Sequence, residues 1–353
     1  MQADDPRPSP PLGLVAIGRN EGERLRRCLA AARALMGPEA PLVYVDSGST
    51  DASLAIAAEA GARIVEIDPA EGFTAARARN LGAAALAGSA PEFIQFVDGD
   101  CELVPGWLET AQARLRADAD LAVVAGRRRE RAPEASVFNR LCDMEWNTPV
   151  GRAAAVGGDA MYRRAAFEAV GGFDPALICG EEPELCLRLA RAGWGIERLD
   201  AEMTLHDADM HRWSQWRRRV ERAGWAFAEG ADRHGRGPEA YNRREARRSL
   251  AWGLGLPAAL LASLGLAALG VGPAAALPAL AALGLAGLVA LRAARWRRRS
   301  FADPWPHALL YGAMVTLGKP FEALGALRYR RAKARGERGR IIEYKGPARA
   351  AGR

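Results

Sequence analysis

Two apolar runs without a charged residue lie in the last third of this 353-residue chain. Residues 250–269 form the first run and residues 273–291 the second, and only residues 270–272 separate them. A helix needs about 20 apolar residues to cross the hydrocarbon core of a bilayer. The runs therefore predict a transmembrane helical hairpin over residues 249–292, with a soluble helical hairpin as the alternative.

Arginines flank this predicted hairpin on both outer ends, and the chain carries a net charge of +7. Positively charged flanks stay on the cytoplasmic side of a membrane, so both ends of the hairpin are expected there. Arginines beside apolar spans indicate an anionic membrane surface rather than nucleic acid, for which no recognition motif is present. The flanking residues are Arg243, Arg244, Arg247, Arg248, Arg292, Arg295, Arg297, Arg298 and Arg299.

The remaining segments outside the main domain are assigned by composition. Residues 1–11 are polar and proline-rich, which predicts a disordered lead and no signal peptide. Residues 303–328 are apolar but contain Lys319 and Glu322, which favours an interfacial or re-entrant membrane segment. Residues 329–353 form a basic tail that is expected in the cytoplasm. The five scattered cysteines indicate reduced thiols in a protein that faces the cytosol.

Short apolar runs alternate with helical patterns before the hairpin. Four such runs, at residues 12–17, 42–45, 63–67 and 93–97, read as buried strands. Apolar strands that alternate with helices predict an α/β domain with a mainly parallel sheet and helices on both faces. This domain is expected to cover residues 12–232. In such sheets, ligands bind beyond the carboxyl ends of the strands.

An acidic triplet, Asp98-Gly99-Asp100, follows the fourth of these strands. Side chains two positions apart in extended chain point to the same side, so the two carboxylates share one side. The glycine between them permits a close backbone approach. Such a pair suits a hard cation that also binds phosphate oxygens, although a solvated acidic turn is the alternative.

Six motifs in a fixed order resemble those of one enzyme family. Over about residues 12–230, the chain looks like the family-2 inverting glycosyltransferases with the GT-A fold, of the membrane-anchored bacterial type. The motifs are Arg19-Asn20-Glu21, Asp46-Ser47-Gly48-Ser49-Thr50-Asp51, Arg79-Asn80-Leu81-Gly82, Asp98-Gly99-Asp100, Gly171-Gly172-Phe173-Asp174 and Gly180-Glu181-Glu182-Pro183-Glu184-Leu185.

The resemblance implies a nucleotide-sugar site at the strand ends. Asp46 and its loop would contact the nucleobase and ribose, although Ser47 stands where the family usually has a second aspartate. Asp98 would bind ribose and metal, and Arg79 would reach the diphosphate unless it is a surface arginine of its helix. The residues expected to bind the nucleotide sugar, UDP- or GDP-linked, are Asn20, Glu21, Asp46, Ser47, Arg79, Asp98 and Arg218.

The resemblance also implies a metal site and a general base. Asp98, Asp100 and His206 would hold Mn²⁺ or Mg²⁺, with a buried structural histidine as the alternative for His206. Glu182 stands where the family places its base, normally an aspartate, and Glu181 is the competing candidate. Pro183 suits a first helical turn, so Glu182 is expected at a helix N-terminus whose dipole keeps it ionised.

The acceptor side is less well marked in the sequence. The run Gln215-Trp216-Arg217-Arg218-Arg219 partly resembles the Gln-x-x-Arg-Trp motif of processive polysaccharide synthases, with an arginine in place of the tryptophan. Gln215 is expected on the acceptor side and Arg218 on the diphosphate. The alternative is a basic amphipathic helix on lipid headgroups. Trp146 is expected to line the acceptor site by its position.

Together these features predict an inverting glycosyltransferase of the inner (cytoplasmic) membrane, multi-pass, with its catalytic domain in the cytoplasm. It would move a sugar from a nucleoside-diphosphate sugar to a lipid-linked or glycan acceptor of the cell envelope, with metal-assisted departure of the diphosphate. Two alternatives remain, a processive polysaccharide synthase and a catalytically inactive membrane scaffold with the same fold. No nucleic-acid partner is expected.

Overall fold

The computed structural model describes residues 12–68, 70, 72–337 and 339. The predicted lead at residues 1–11 and the tail from residue 340 onward lie outside the described residues. The chain forms two compact units. Among the described residues, the first contains residues 12–133 and Glu145–Asp209, and the second contains Glu134–Met144 and the residues from Met210 onward.

The first unit is built on a nine-stranded sheet with the order β3-β2-β1-β4-β8-β6-β9-β5, and β7 pairs with β9 beside this path. The strands are β1 (Leu12–Gly18), β2 (Leu42–Asp46), β3 (Arg63–Glu66), β4 (Phe93–Asp98), β5 (Cys101–Leu103), β6 (Leu121–Glu130), β7 (Gly151–Arg152), β8 (Ala160–Arg163) and β9 (Gly195–His206).

Six of the nine strands described for this sheet run in the same direction, and four of its eight described strand pairings are parallel. Strands β3, β2, β1 and β4 run in one direction, and β6 and β9 are parallel to each other. Strand β8 is antiparallel to both β4 and β6, and β5 and β7 are antiparallel to β9. The central strands β1, β2 and β4 are buried almost throughout, as their continuous apolar runs indicate. The predicted α/β fold with a mainly parallel sheet is confirmed.

Helices cover this sheet. In α1, Leu25, Cys28, Leu29 and Ala32 form a buried face at helical spacing. In α3, a side chain at Gly82 would collide with Val15 of β1, so this glycine lets the helix lie close to the sheet. The helices are α1 (Glu23–Met36), α2 (Ser53–Glu59), α3 (Ala75–Ala85), α4 (Trp107–Ala117), α6 (Arg164–Ala169) and α7 (Glu181–Arg191), while α5 (Val137–Trp146) extends across the division between the units.

The second unit is helical, and two of its segments are long and apolar enough to cross a membrane. These segments are Arg243–Ala268 and Gly272–Phe301, and only 6% and 11% of their most apolar windows are buried. The Ser263 hydroxyl accepts a hydrogen bond from the Ala279 N–H at 2.9 Å, which joins the two segments. The helices are α8 (Trp213–His234), α9 (Arg243–Ala268), a 3-10 turn (Gly272–Ala276), α10 (Leu277–Phe301), α11 (Trp305–Leu317) and α12 (Lys319–Ala334).

Helix α12 packs closely against α8 in the second unit. A side chain at Gly325 would collide with the backbone of Glu221, and one at Gly224 would collide with the backbone of Glu322. This contact explains why the second unit begins at Met210, earlier than the expected end of the catalytic domain at residue 232. The segment expected at residues 303–328 is two helices, α11 and α12, that meet at Gly318.

Candidate active site

The acidic triplet forms the turn between β4 and β5. Asp98 is the last residue of β4, and β5 begins at Cys101. The N–H of Gly99 donates to the Ile17 carbonyl at 2.8 Å. A Cβ atom at position 99 would lie 3.1 Å from that carbonyl oxygen and 3.3 Å from Cγ of Glu21. The glycine therefore allows the tight backbone approach that the sequence predicted.

His206 lies directly beside Asp100. Strand register pairs Cys101 with His206, and the Asp207 N–H donates to the Asp100 carbonyl at 3.0 Å. His206 Nε2 is 3.4 Å from Asp100 Oδ2, and its Nδ1 is 3.6 Å from Glu130 Oε2. Carboxylates therefore flank both ring nitrogens of this imidazole. The sequence identified Asp100 and His206 but not Glu130.

The residues present fit a divalent cation. Ligand atoms of Asp100, Cys101 and His206 lie within 4.8 Å of one another, and so do those of Asp98, Cys101 and Asp159. Burial and the carboxylate Asp159 hold the pKa of the Cys101 thiol well above its usual range in the metal-free protein. The carboxylate oxygens and the imidazole nitrogen of these groups are donors that suit Mn²⁺. The three expected ligands do not share one group, because Asp100 and His206 belong to the first and Asp98 to the second, and Cys101 is common to both.

Arg79 joins the acidic turn to the start of α7. Its Nη2 is 2.8 Å from Asp98 Oδ1, while its Nη1 is 3.0 Å from Glu181 Oε1 and 3.2 Å from Glu182 Oε1. Only 2% of the Arg79 side chain is exposed. The alternative of a surface arginine on its helix is therefore wrong. Its predicted contact with a diphosphate stays a prediction.

Glu181 and Glu182 begin α7 after Gly180, whose φ of 78° is in the left-handed region that favours glycine. The side chain of Glu182 is 18% exposed, whereas that of Glu181 is 3% exposed. Burial and the charge of Glu181 raise the pKa of Glu182 to about 7, although Arg79 opposes the shift. The sequence predicted that the helix dipole keeps Glu182 ionised, but desolvation and a neighbouring carboxylate outweigh the dipole.

Asp46 organises the loop that follows β2. Its carboxylate accepts the Gly48 N–H at 2.9 Å, the Ser49 N–H at 2.7 Å and the Tyr44 hydroxyl at 3.0 Å. Asp46 is 1% exposed. Ser47 is half-buried, and its N–H donates to the Gly18 carbonyl at 3.0 Å. Asp46 therefore fixes the shape of this loop, and its expected contact with a nucleobase or ribose stays a prediction.

Asn20 and Glu21 tie the loop after β1 to the loop after β2. The Asn20 side-chain oxygen accepts the Thr50 N–H at 2.7 Å, and the Asn20 N–H donates to the Ser49 hydroxyl at 2.9 Å. Glu21 is buried and forms an ion pair with Arg24 at 2.8 Å. These two residues build the expected nucleotide-binding edge of the sheet, although no contact with a nucleotide follows from this geometry.

Besides Glu130, two residues of the site, Asp159 and Arg128, were not predicted from the sequence. Asp159 accepts the Asp98 backbone N–H at 2.9 Å, and Arg128 Nη2 is 2.9 Å from the Asp159 carboxylate and 3.3 Å from Asp98 Oδ2. The available signal was the run Gly157-Gly158-Asp159, an acid that follows two glycines just before the apolar strand β8.

The acceptor-side predictions divide between the two units. In the first unit, the ring centroid of Trp146 is 4.4 Å from that of His206, and the Arg128 guanidinium lies 5.5 Å from the Trp146 ring. In the second unit, Gln215 accepts the N–H groups of His211 and Arg212 at the start of α8. The acceptor role of Gln215 and the diphosphate contact of Arg218 stay predictions.

Known proteins resemble this chain in sequence. Residues 15–171 match the family model described as Glycosyl transferase family 2. A TPR repeat-containing protein from Synechococcus elongatus is 33% identical over 202 residues, which are 55% of this chain and 45% of that protein. A pre-mycofactocin glycosyltransferase from Mycobacterium tuberculosis is 26% identical over 221 residues, which are 57% of this chain and 45% of that protein. The matched region spans less than half the length of these curated relatives.

Solved structures resemble it in fold. The mannosyltransferase PcManGT from Pyrobaculum calidifontis, in complex with GDP-Man and Mn²⁺, has a TM-score of 0.63 at 22% sequence identity, over 93% of this chain and 89% of that chain. Residues 1–349 of S. aureus TarS have a TM-score of 0.50 at 15% identity, over 92% of both chains. These similarities show a shared fold.

Proposed function

The chain carries a family-2 glycosyltransferase domain with the GT-A fold, and on that premise we propose that it is an inverting glycosyltransferase. The enzyme moves a sugar from a nucleoside-diphosphate sugar to a hydroxyl of a lipid-linked or glycan acceptor. The observation that carries the proposal is the position of Arg79, which contacts the acidic turn at Asp98 and the candidate base Glu182 at once. One buried guanidinium therefore links the residue proposed to bind the donor, Asp98, with the residue proposed to deprotonate the acceptor, Glu182.

Glu182 is the general base in this proposal. Its side chain is more exposed than that of Glu181, so an acceptor hydroxyl can reach it. A pKa of about 7 suits a base that takes a proton near neutral pH. With this pKa, the Glu182 carboxylate accepts a proton more readily than an ordinary glutamate does. Glu182 removes the hydroxyl proton as the oxygen attacks the anomeric carbon, while the bond from that carbon to the diphosphate breaks on the opposite side. Glu181, paired with Arg79 below the surface, positions the guanidinium.

Asp98, Asp100 and His206 are the residues that would hold a divalent cation, Mn²⁺ or Mg²⁺. When bound, such a cation stabilises the negative charge that develops on the departing diphosphate. The loops organised by Asn20, Glu21 and Asp46, with Ser47, bind the nucleotide. Trp146, beside His206, faces the acceptor side in this proposal. The roles expected for Gln215 and Arg218 stay predictions.

The donor is a UDP- or GDP-sugar. PcManGT binds GDP-Man together with Mn²⁺, which supports a donor of this class and the same kind of cation. Ser47 stands in the loop where the family pattern has an aspartate, so base recognition depends more on the backbone and on the other loop residues. Binding measurements with UDP- and GDP-sugars distinguish between the two nucleotides.

The protein works at the cytoplasmic face of the inner membrane. Helix α9 and the segment Gly272–Phe301 have the length and composition of a spanning hairpin. The arginines at the outer ends of both helices are exposed, apart from Arg297, and they favour the cytoplasmic side. The domain over residues 12–232, the hairpin at 249–292, the interfacial segment at 303–328 and the basic tail at 329–353 complete the proposed organisation.

A donor screen tests the proposal. The detergent-solubilised protein is heated with each UDP- and GDP-sugar, with and without Mn²⁺, because a bound donor raises the unfolding temperature. One donor is expected to stabilise the protein in a metal-dependent way and to release its nucleoside diphosphate when membrane lipid extract supplies the acceptor. Asp100→Asn should lose both effects, while Asp68→Asn, an exposed acid, should keep them.

Two results would overturn the proposal. Metal-independent or absent donor binding by the wild type, together with no turnover, would favour the inactive scaffold. A product of many sugars on one acceptor, resolved on a gel, would instead favour a processive synthase. Addition of a single sugar with release of one diphosphate is the expected result.

A further inference from the structure

Asp98 lies between two guanidiniums. Arg79 approaches its Oδ1 at 2.8 Å and Arg128 approaches its Oδ2 at 3.3 Å. Two cations on one carboxylate would cancel the charge that attracts a metal ion. Each of these guanidiniums also contacts other carboxylates. Glu181 and Glu182 both pair with Arg79. Asp159 contacts Arg128 at 2.9 Å, closer than Asp98 does.

Asp159 contacts a backbone amide, a guanidinium and a hydroxyl from a buried position, and it also lies beside the Cys101 thiol. One oxygen accepts the Asp98 backbone N–H at 2.9 Å and lies 2.9 Å from Arg128 Nη2, and the other accepts the Thr204 hydroxyl at 2.8 Å. Its side chain is completely buried. A buried carboxylate with a guanidinium, a backbone amide and a hydroxyl as partners is fully satisfied and rigid. The same side chain thus holds the backbone of Asp98 and the cation that competes for the Asp98 carboxylate.

The residue before Asp159 leaves the space that this arrangement needs. A Cβ atom at Gly158 would collide with Nη2 of Arg79 and would lie 3.1 Å from both carboxylate oxygens of Asp98. The backbone of the Gly158-Asp159 pair therefore lies against the Arg79–Asp98 ion pair. The Gly158 backbone thus limits the space beside the Asp98 carboxylate, while Asp159 restrains the Asp98 backbone N–H.

We propose that Asp159 is a positioning residue that sets the orientation and the effective charge of Asp98 by holding Arg128. It touches neither donor nor acceptor in this account and acts through Asp98. The inference rests on the proposed function, in which Asp98 is a ligand of the divalent cation. Replacement of a residue that hydrogen-bonds to a metal ligand and orients it typically weakens metal binding by about 10- to 100-fold.

Charge and geometry can be separated by substitution. Asp159→Asn retains an oxygen for the Asp98 N–H and a polar group for Thr204, but it loses the negative charge. Arg128 then has Asp98 as its remaining charged partner among the contacts described for it, and it should compete with the cation. Arg128→Gln removes the competing guanidinium, so the double variant should regain the charge on Asp98.

The test measures Mn²⁺ binding by electron paramagnetic resonance of the free ion, in the absence of donor. Asp159→Asn is expected to weaken Mn²⁺ binding by about 10- to 100-fold, and the double variant with Arg128→Gln to return to within about fivefold of wild type. Thr204→Val is the matched control. It removes a neutral hydrogen bond to the same carboxylate and should change the Kd by less than about fivefold.

Equal Mn²⁺ affinity of Asp159→Asn and wild type, or a double variant as weak as Asp159→Asn, would overturn the inference. If Asp159→Asn does not fold, Arg128→Gln is compared with the double variant. Arg128→Gln and the double variant must bind Mn²⁺ equally, because without the guanidinium of Arg128 the charge at position 159 has nothing to hold. Weaker binding by the double variant would also overturn the inference. Failure of the wild type to bind Mn²⁺ would instead contradict the proposed function itself, so the two failures are distinguishable.

Discussion

The first unit buries charged side chains, whereas the second unit exposes apolar ones. Arg79 and Glu181 are each 2% exposed and Asp159 is 1% exposed, while Leu264 of the second unit is 67% exposed and Leu269 is 80% exposed. In water, each arrangement costs free energy, the first through desolvation and the second through exposed apolar area. Each is stable only with a compensating partner.

The two compensations differ in kind. In the first unit the partners are inside the protein, because every buried guanidinium at the site contacts at least two carboxylates. In the second unit the apolar windows of the two long helices are 6% and 11% buried, and the compensating partner that we propose for them is a lipid bilayer. On the proposed function, the chemistry of the first unit therefore depends on charge and the position of the second unit depends on lipid.

The largest expected effect tests the chemistry of the first unit. Glu182→Gln should lower kcat by about 10²- to 10⁴-fold, because the amide cannot take the acceptor proton. Donor binding should change little, since Arg79 retains Glu181 and Asp98. Steady-state kinetics with the donor found in the screen measure both quantities. Glu168→Gln, an exposed acid of the same unit, is the control and should leave kcat unchanged.

Removal of the buried guanidinium tests whether the charges of the first unit depend on one another. Arg79→Gln leaves Asp98, Glu181 and Glu182 without their common cation and should destabilise the unit by about 3–5 kcal/mol. The unfolding temperature of the solubilised protein at neutral pH reports this loss. Arg77→Gln, two positions earlier and less buried, should have a much smaller effect. Equal unfolding temperatures for the two variants would contradict the account of a mutually dependent network.

A charge placed on the apolar surface of the second unit tests the lipid environment. Leu264→Arg lies within an apolar window and should cost about 2.5–3.5 kcal/mol of membrane insertion. Leu269→Arg, at the end of α9 where an arginine can reach the interface, should cost less. The fraction of protein that resists alkaline extraction from membranes measures the difference. If the hairpin were a soluble surface, both changes would remain within about 0.5 kcal/mol of wild type.

The smallest expected effect concerns the exposed arginines at the start of α9. Arg247→Gln and Arg248→Gln should each weaken insertion into anionic vesicles by about 1 kcal/mol. The effect should disappear in neutral vesicles, because only the electrostatic attraction to anionic headgroups is removed. Vesicle flotation with and without anionic lipid measures it. Arg116→Gln, in α4 of the first unit, is the control and should have no effect in either vesicle.

The sequence predicted those parts of the site that lie close together along the chain. Asp98, Gly99 and Asp100 follow one strand, and Glu181 and Glu182 begin one helix, so local patterns were enough to find them. His206 was found through the resemblance, and the β5–β9 pairing places it beside Asp100. The parallel sheet followed from continuous apolar strands.

The missed parts depend on contacts between distant segments. Asp159 reaches Asp98 across 61 positions, through the pairing of β8 with β4, and Arg128 arrives from β6. No local pattern distinguishes a buried arginine such as Arg79 from a solvated one, because burial depends on the tertiary packing of α3 and α7. The pKa of Glu182 was misjudged in part for the same reason, since its desolvation comes from tertiary packing, whereas the charge of Glu181 is adjacent in the sequence.

The pH dependence of kcat/KM for sugar transfer tests the central claim most directly. The account predicts that kcat/KM of the wild type rises with pH and levels off above an apparent pKa of about 7, because Glu182 must lose its proton before it can act as a base. Glu182→Gln should remove this step and leave a low, flat profile. A wild-type profile without a step near neutral pH, or an unchanged step in Glu182→Gln, would contradict the assignment of Glu182 as the general base.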